Sequence, residues 1–238
     1  MRAGEAEGGG APLPSSHPGG GALEAAIVDL DGTLVDTLGD FVVALDGMLG
    51  DLGLPPVPRD FVGRTVGKGS EYLIRRTLVH VGGDGSLYEA GWQSYQRHYR
   101  RVNGLHSQVY AGAAEGLERL RSRGVRLACL TNKPTDFARE LLRIKGLGGA
   151  FEHVFGGDAF ARRKPDPLPL LKTCEALGSA PARTLVIGDS RNDAQAARAA
   201  GCPVWLVTYG YNHGEPVERV DADGFVGRLD ALPVELLP

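Results

Sequence analysis

The chain is short of sulfur, of long apolar runs and of surplus positive charge, and each shortage removes a class of function. It has three cysteines in 238 residues, Cys129, Cys174 and Cys202, unclustered and without C-x-x-C spacing. That pattern does not build a secreted disulfide scaffold or a thiolate zinc site, and it fits a reducing cytosol. No apolar stretch reaches the length a membrane span needs, so no membrane partner is expected. Lysine and arginine (26) are outnumbered by aspartate and glutamate (29), a net charge of −3, and no dense basic stripe offsets it. A nucleic-acid partner is therefore not expected either. Aromatic content is only 7%, while hydrophobic content of 42% and charged content of 23% are ordinary for a soluble globular protein.

What is present is organised by position. Residues 1–22 are dominated by Gly, Pro and Ser, carry too little apolar area to offset the entropy of ordering, and lack the apolar core of a secretory signal. They read as a disordered, cytoplasmic tail. Residues 38–105 read as helical. Phe41, Val42, Leu45, Met48, Leu49 and Leu52 recur at helical spacing until Gly53 and Pro55-Pro56 end the run; Tyr72, Leu73, Ile74, Leu78 and Val79 form a second apolar face, and Trp92, Tyr95 and Tyr99 a third. These aromatics are expected to pack among the insert's own helices. Between the first two runs, Gly63-Arg64-Thr65-Val66-Gly67-Lys68-Gly69-Ser70 imitates a nucleotide P-loop. Its first glycine is one residue too near the Gly-Lys pair, Gly69 stands where Ser or Thr belongs, and no strand precedes it. From residue 110 onward, short apolar segments alternate with helical patterns, the signature of a parallel sheet covered by helices.

Four of those apolar segments deliver polar residues. The first, Ala25-Ala26-Ile27-Val28, runs into Asp29-Leu30-Asp31-Gly32-Thr33-Leu34-Val35-Asp36-Thr37. Residues i and i+2 of an extended backbone point the same way, so Asp29 and Asp31 are expected to resist ionising together. Such a pair can supply a nucleophile or metal ligand and a proton donor; Gly32 eases the turn, and Thr37 is a candidate helix cap. The second segment, residues 125–130, ends in Thr131-Asn132-Lys133-Pro134, a hydroxyl followed by the N–H groups that open a helix, which is a ready anion site. A strand-like segment at 151–157 is followed by Arg162-Arg163-Lys164-Pro165-Asp166-Pro167, whose prolines fix the backbone around the basic cluster. The fourth, residues 184–187, delivers Gly188-Asp189-Ser190-Arg191-Asn192-Asp193. It is not a nucleophile elbow, because Asn192 replaces the closing glycine. Its carboxylates suit a hard cation with few protein ligands.

In this order the four segments resemble the motifs of the haloacid dehalogenase superfamily, over about residues 24–236. The resemblance implies an α/β fold: a Rossmann-like parallel-sheet core (residues 23–37 and 106–238) with a small helical cap, residues 38–105, inserted after the first strand. It implies Mg²⁺-dependent phosphomonoester hydrolysis through an aspartyl-phosphate. Asp29 would be the nucleophile and Asp31 the general acid/base; Thr131, Asn132 and Lys164 would hold the phosphoryl group. The metal would be held by Asp29, the backbone carbonyl of Asp31 and Asp189, with Asp193 in or just behind its ligand shell. In capped relatives a cap loop selects the substrate, which makes Arg64 and Lys68 candidates for a substrate carboxylate or phosphate. The acid at position 31 is similar to that of the phosphotransferases, not the dehalogenases. Tyr209-Gly210-Tyr211-Asn212-His213-Gly214-Glu215-Pro216, with Leu34-Val35-Asp36-Thr37, Gly156-Gly157-Asp158 and the second and third motifs, resembles bacterial phosphoglycolate phosphatases. That implies a small phosphorylated metabolite, 2-phosphoglycolate, as the substrate of a monomer or homodimer. Other small phosphomonoesters, pyrophosphate, a sugar phosphomutase activity and a catalytically silent subunit are the alternatives. His213 is either a further acid–base group or a structural histidine.

Overall fold

The computed structural model describes residues 22–233; the expected tail at 1–22 lies outside them apart from its last residue. In chain order the elements are β1 (Ala25–Val28), β2 (Val35–Asp36), α1 (Leu38–Asp51), α2 (Arg59–Thr65), α3 (Ser70–His80), α4 (Tyr88–Val102), β3 (Gln108–Val109), α5 (Ala113–Ser122), β4 (Arg126–Leu130), α6 (Thr135–Ile144), β5 (His153–Phe155), α7 (Leu168–Leu177), β6 (Thr184–Gly188), α8 (Arg191–Ala200), β7 (Val204–Val207) and β8 (Gly224–Val226). Six strands form one parallel sheet in the order β5-β4-β1-β6-β7-β8. The chain winds outward from β1 in one direction and then returns to wind the other way. This puts a topological switch point between β1 and β6, where open α/β sheets hold ligands at the strands' carboxyl ends.

Alternation along the strands feeds two cores. Ala26 and Val28 face one layer with Leu127, Cys129 and Ile187, covered by Leu117 and Leu120 of α5 and Leu141 and Leu142 of α6. Ala25 and Ile27 face the other, with Ala128 and Val186, covered by Leu170 and Leu177 of α7 and Ala196 and Ala197 of α8. Cys174 and Cys202, unclustered in sequence, meet in this second layer, where a thiol–thiol hydrogen bond draws Cys174 down to about 7. Each fully buried Leu or Val contributes roughly 1.5–3 kcal/mol, so the sheet is the rigid frame. A third core belongs to α1–α4, with Leu45, Met48, Leu49, Leu73, Ile74, Tyr95 and Tyr99 inside and Phe137 of α6 contributed from below. Tyr72 and Val79, expected in its apolar face, are exposed; Thr77 and Leu78 take the inward positions.

The helical insertion leaves and rejoins the sheet side through β2 and β3, an antiparallel pair with Val35 opposite Val109. Thr37 occupies the cap position of α1, but its hydroxyl makes no capping bond; Asp36 Oδ1 accepts from Leu38 N at 3.1 Å instead. β2, β3 and the edge strand β8 have too few residues to carry a period, and the sequence pattern does not reveal them.

Candidate active site

The register of the sheet sets the site. Val28 lies opposite both Cys129 and Ile187, so β1, β4 and β6 end level, and Asp29, Thr131 and Asp189 emerge side by side. Gly32 turns the chain after Asp31 with φ +84°, and a Cβ there would lie 2.1 Å from Asp189 Oδ2. Gly210 closes in from the other side, where a Cβ would lie 2.2 Å from that of Asp189. Only glycines let the two loops pack around this carboxylate.

Each acid of the first motif has its own lysine. Lys164 Nζ lies 3.0 Å from Asp29 Oδ1, and Lys133 Nζ donates to Asp31 Oδ1 at 2.9 Å. The expected mutual repulsion of Asp29 and Asp31 is therefore not the main force at Asp29. Burial raises its carboxyl to about 7, against the pull of Lys164, and the like charge that adds to the rise is Asp193. Burial also raises Asp189 well above the usual carboxylate range, with Asp193 and Asp29 adding to it. Lys164 is buried yet held charged by Asp193 and Asp29; it donates to Asp193 Oδ1 at 2.6 Å and to the Leu130 carbonyl at 2.9 Å. Asp193 is fixed in turn by the capping box of α8, its Oδ2 accepting from Ser190 N at 3.2 Å and Oγ at 2.8 Å. Asp29, Asp189 and Asp193 bring one carboxylate oxygen each to within 4.8 Å of one another. Three carboxylates and no sulfur or imidazole make a donor set for a hard divalent cation. Because both Asp193 oxygens already accept hydrogen bonds, Asp193 stands behind Asp29 and Asp189 in that set.

Thr131 Oγ1 accepts from Lys133 N at 3.3 Å, which leaves the hydroxyl proton free to donate. Asn132, expected to hold a phosphoryl oxygen, instead gives both Nδ2 protons to carbonyls: Gly67 in the α2–α3 loop and Lys164, each at 2.9 Å. Its side chain ties the insertion to the lysine loop. The small cavity over Asp29, about 30 Å³, is walled by Asp31, Thr131 and Lys133 below and by Phe41, Val66, Ser70, Leu73 and Tyr99 above.

The expected cap cations lie elsewhere. Arg64 pairs with Asp60 at 2.8 Å on an exposed face, beside a separate recess that reaches Asp189 and Tyr211. Lys68 stands 5.2 Å from the Tyr72 ring centroid and lines a separate cleft with Arg163, Lys164, Arg191 and His213. Neither lines the cavity over Asp29. His213, in left-handed backbone at φ 54°, is 3.3 Å from Asn192 Nδ2, and burial, aided by Lys68, pushes its imidazole below the usual value. It braces the insertion from outside.

Sequence reasoning passed over two residues. Lys133 was visible only as part of the second motif, and Tyr99 was assigned to packing. In the structure Tyr99 stacks on Phe41 and Tyr95, as expected, but its hydroxyl also accepts a hydrogen bond from Lys133 across the junction. Lys133 lies three residues past the end of β4, where the sequence alone does not mark it as buried.

The comparisons agree with this geometry. The profile of a hydrolase family, haloacid dehalogenase-like hydrolase, matches residues 23–201. A phosphoglycolate phosphatase of Thiobacillus denitrificans is 44% identical over 210 residues, covering 87% of this chain and 92% of its own length. A plasmid-borne phosphoglycolate phosphatase of Cupriavidus necator is 42% identical over 216 residues, 90% of this chain and 93% of its own. Among solved structures, a predicted phosphoglycolate phosphatase from Haemophilus somnus superposes with a TM-score of 0.84 at 30% identity, covering 87% of this chain and 95% of that one. Among the described residues no helix is long and apolar enough to cross a membrane. With its strand-end acids, its lysines and its helical insertion in place, the chain belongs to the haloacid dehalogenase-like hydrolases.

Proposed function

We propose that this hydrolase cleaves 2-phosphoglycolate to glycolate and phosphate through an aspartyl-phosphate on Asp29. The observation that carries the reading is the separate pairing of the two acids, Asp29 with Lys164 and Asp31 with Lys133, which suits them to different tasks. An Asp29 oxygen attacks phosphorus as the bond to the ester oxygen breaks, and Asp31 delivers its proton to that leaving oxygen. Asp31 then takes a proton from the water that attacks the acyl phosphate, returning Asp29 and releasing phosphate. Lys164 and the Thr131 hydroxyl hold the equatorial oxygens as charge redistributes.

The family's phosphatases generally use Mg²⁺, which Asp29 and Asp189, backed by Asp193, would hold. Such an ion supplies charge to offset the repulsion between Asp29 and a dianionic phosphate. Residues 38–105 act in this reading as a cap over a core formed by 23–37 and 106–238. The activity that the relatives' names give supports the glycolate ester in particular. Free, buried thiols at all three cysteines accord with a reducing compartment.

Phosphate release from a panel of small esters, with Mg²⁺ and with EDTA, tests this. A strong, Mg²⁺-dependent preference for 2-phosphoglycolate is expected. Comparable rates across the panel would remove the named substrate, and no release from any ester would remove the hydrolytic reading.

A further inference from the structure

Resting on that reading of the substrate, we propose that Lys133, together with the Tyr99 hydroxyl, recognises the substrate's carboxylate and so sets its specificity. The expected candidates, Arg64 and Lys68, open onto other recesses. Lys133 is the cation among the residues lining the cavity over Asp29. A carboxylate brought into a space walled by Phe41, Val66 and Leu73 needs a charged partner, because an unpaired buried charge is strongly disfavoured.

The donors are in place. An ammonium carries three protons. Lys133 Nζ uses one on Asp31 Oδ1 at 2.9 Å and one on the Tyr99 oxygen. The third is unassigned among the described residues. Tyr99 accepts from Lys133, so its own proton remains to be given, and burial, with the charge of Asp31, keeps the phenol protonated far above neutrality. One N–H and one O–H thus sit beside each other, a fork that matches the two oxygens of a carboxylate. The rings of Phe41 and Tyr99, each 4.7 Å from Nζ, fix the ammonium from the side.

The distance also fits. Asp31 must hydrogen-bond the ester oxygen it protonates. In 2-phosphoglycolate the carboxylate carbon is two bonds, about 2.5 Å, from that oxygen. A lysine already bonded to Asp31 is therefore within reach of the carboxylate without moving. Gly69 and Ser70, where α3 begins, border the same space from the cap, and their N–H groups face an incoming anion favourably.

The test compares 2-phosphoglycolate with ethyl phosphate, which has the same ester oxygen and chain length but a methyl in place of the carboxylate. Wild-type enzyme is expected to favour the first by about 10³-fold or more in kcat/KM, as sites built to pair a polar group do. Lys133→Met should collapse that ratio to within about tenfold, whatever common loss both esters suffer through Asp31. Tyr99→Phe keeps the ring packing and removes only the hydroxyl; it should lower kcat/KM for 2-phosphoglycolate by roughly 10- to 100-fold through KM, and for ethyl phosphate by less than about threefold. Titration calorimetry on Asp29→Asn protein, which does not turn over, should show the same loss of 2-phosphoglycolate binding when either change is added. An equal fall for both esters in both variants would mean that Lys133 acts through Asp31 alone, and would overturn the assignment. Should Lys133→Met fail to fold, Tyr99→Phe decides by the same criterion. A wild-type enzyme that does not distinguish the two esters would instead sink the substrate reading itself.

Discussion

The two walls of the cavity over Asp29 are made of different material. The sheet side presents Asp29, Asp31, Thr131 and Lys133, with Lys164 and Asp189 behind them, on loops whose heights are set by the register of β1 against β4 and β6. The helical side presents Phe41, Val66, Leu73 and Tyr99, and turns Arg64 and Lys68 away. Below, Lys133 pairs with Asp31 and Lys164 with Asp29 and Asp193, while Asp189 stands among like charges. Above, the wall meets the frame through Tyr99 on Lys133, Asn103 on the Phe137 carbonyl, and the Gly67 carbonyl accepting from Asn132 at 2.9 Å and Asn192 at 3.3 Å, with Phe137 packed into its core. The acids are positioned by the sheet, while the enclosure is held by side-chain bonds and by Phe137 packed across the junction.

That contrast can be broken from either side. Asp29→Asn, on the rigid wall, should lower turnover by more than about 10⁴-fold, with a melting temperature equal to or above wild type because a buried charge has gone. Substantial residual phosphatase activity in a clean preparation would remove Asp29 as nucleophile. Asn132→Ala touches both walls, leaving the Gly67 and Lys164 carbonyls each short of a donor. It should cost about 1–3 kcal/mol of melting stability and reduce both kcat and 1/KM. Asn192→Ala removes the second donor to the Gly67 carbonyl and the contact with His213, and should raise KM by roughly three- to tenfold with kcat unchanged; a fall in kcat instead would mean the latch also sets the catalytic geometry.

The acids of the lower wall also predict a pH dependence. Asp29 has a folded value of about 7 against an ordinary 3.8, so in this range the native state holds the proton more tightly than the unfolded chain. Its contribution to stability is full below 3.8 and is lost as pH rises through about 7. Metal-free protein should therefore melt lower at pH 8.5 than at pH 5.5. The gain in melting temperature from Mg²⁺ should widen over the same interval, by several degrees. Scanning fluorimetry with and without EDTA reads both, and a gain independent of pH would contradict the assignment of Asp29 to the cation. The smallest effect belongs to the outward cations. Arg64→Ala and Lys68→Ala should each change kcat/KM by less than about threefold, as expected of solvated charges.

How much of this was legible in the sequence follows the same division. Asp29, Thr131 and Asp189 could be placed because each follows a strand whose apolar run announces where the backbone stops, and parallel strands that end level bring such residues together; Lys164, nine residues past β5, was legible only through the resemblance of its motif. The alternation of β1, β4 and β6 with helices gave the sheet. The insertion was legible as helices but not as a wall. Helical periodicity says which residues are buried, not which of them meet another part of the chain. Tyr99 was therefore read as packing alone, and Arg64 and Lys68 as facing inward. The Gly67 carbonyl has no side chain to mark it. The partner that raises Asp29 proved to be Asp193, 164 positions away, because repulsion depends on distance in space and the spacing of Asp29 and Asp31 conceals that each has a lysine of its own.

The two-residue strands that begin and end the helical insertion have a consequence for what the sheet could be made to serve. With Val35 opposite Val109 and Asp36 opposite Gln108, the chain leaves and comes back across a single strand spacing, about 4.8 Å. A gap of that width can be bridged by a two-residue reverse turn. Residues 37–107 therefore leave and re-enter the sheet side at one seam, although Tyr99 and Gly67 also bond Lys133 and Asn132 away from it. A chain shortened at that seam would lose the wall of Phe41, Val66, Leu73 and Tyr99 and leave Asp29 open from above. What encloses the acids of this frame thus enters and leaves through a seam two residues wide.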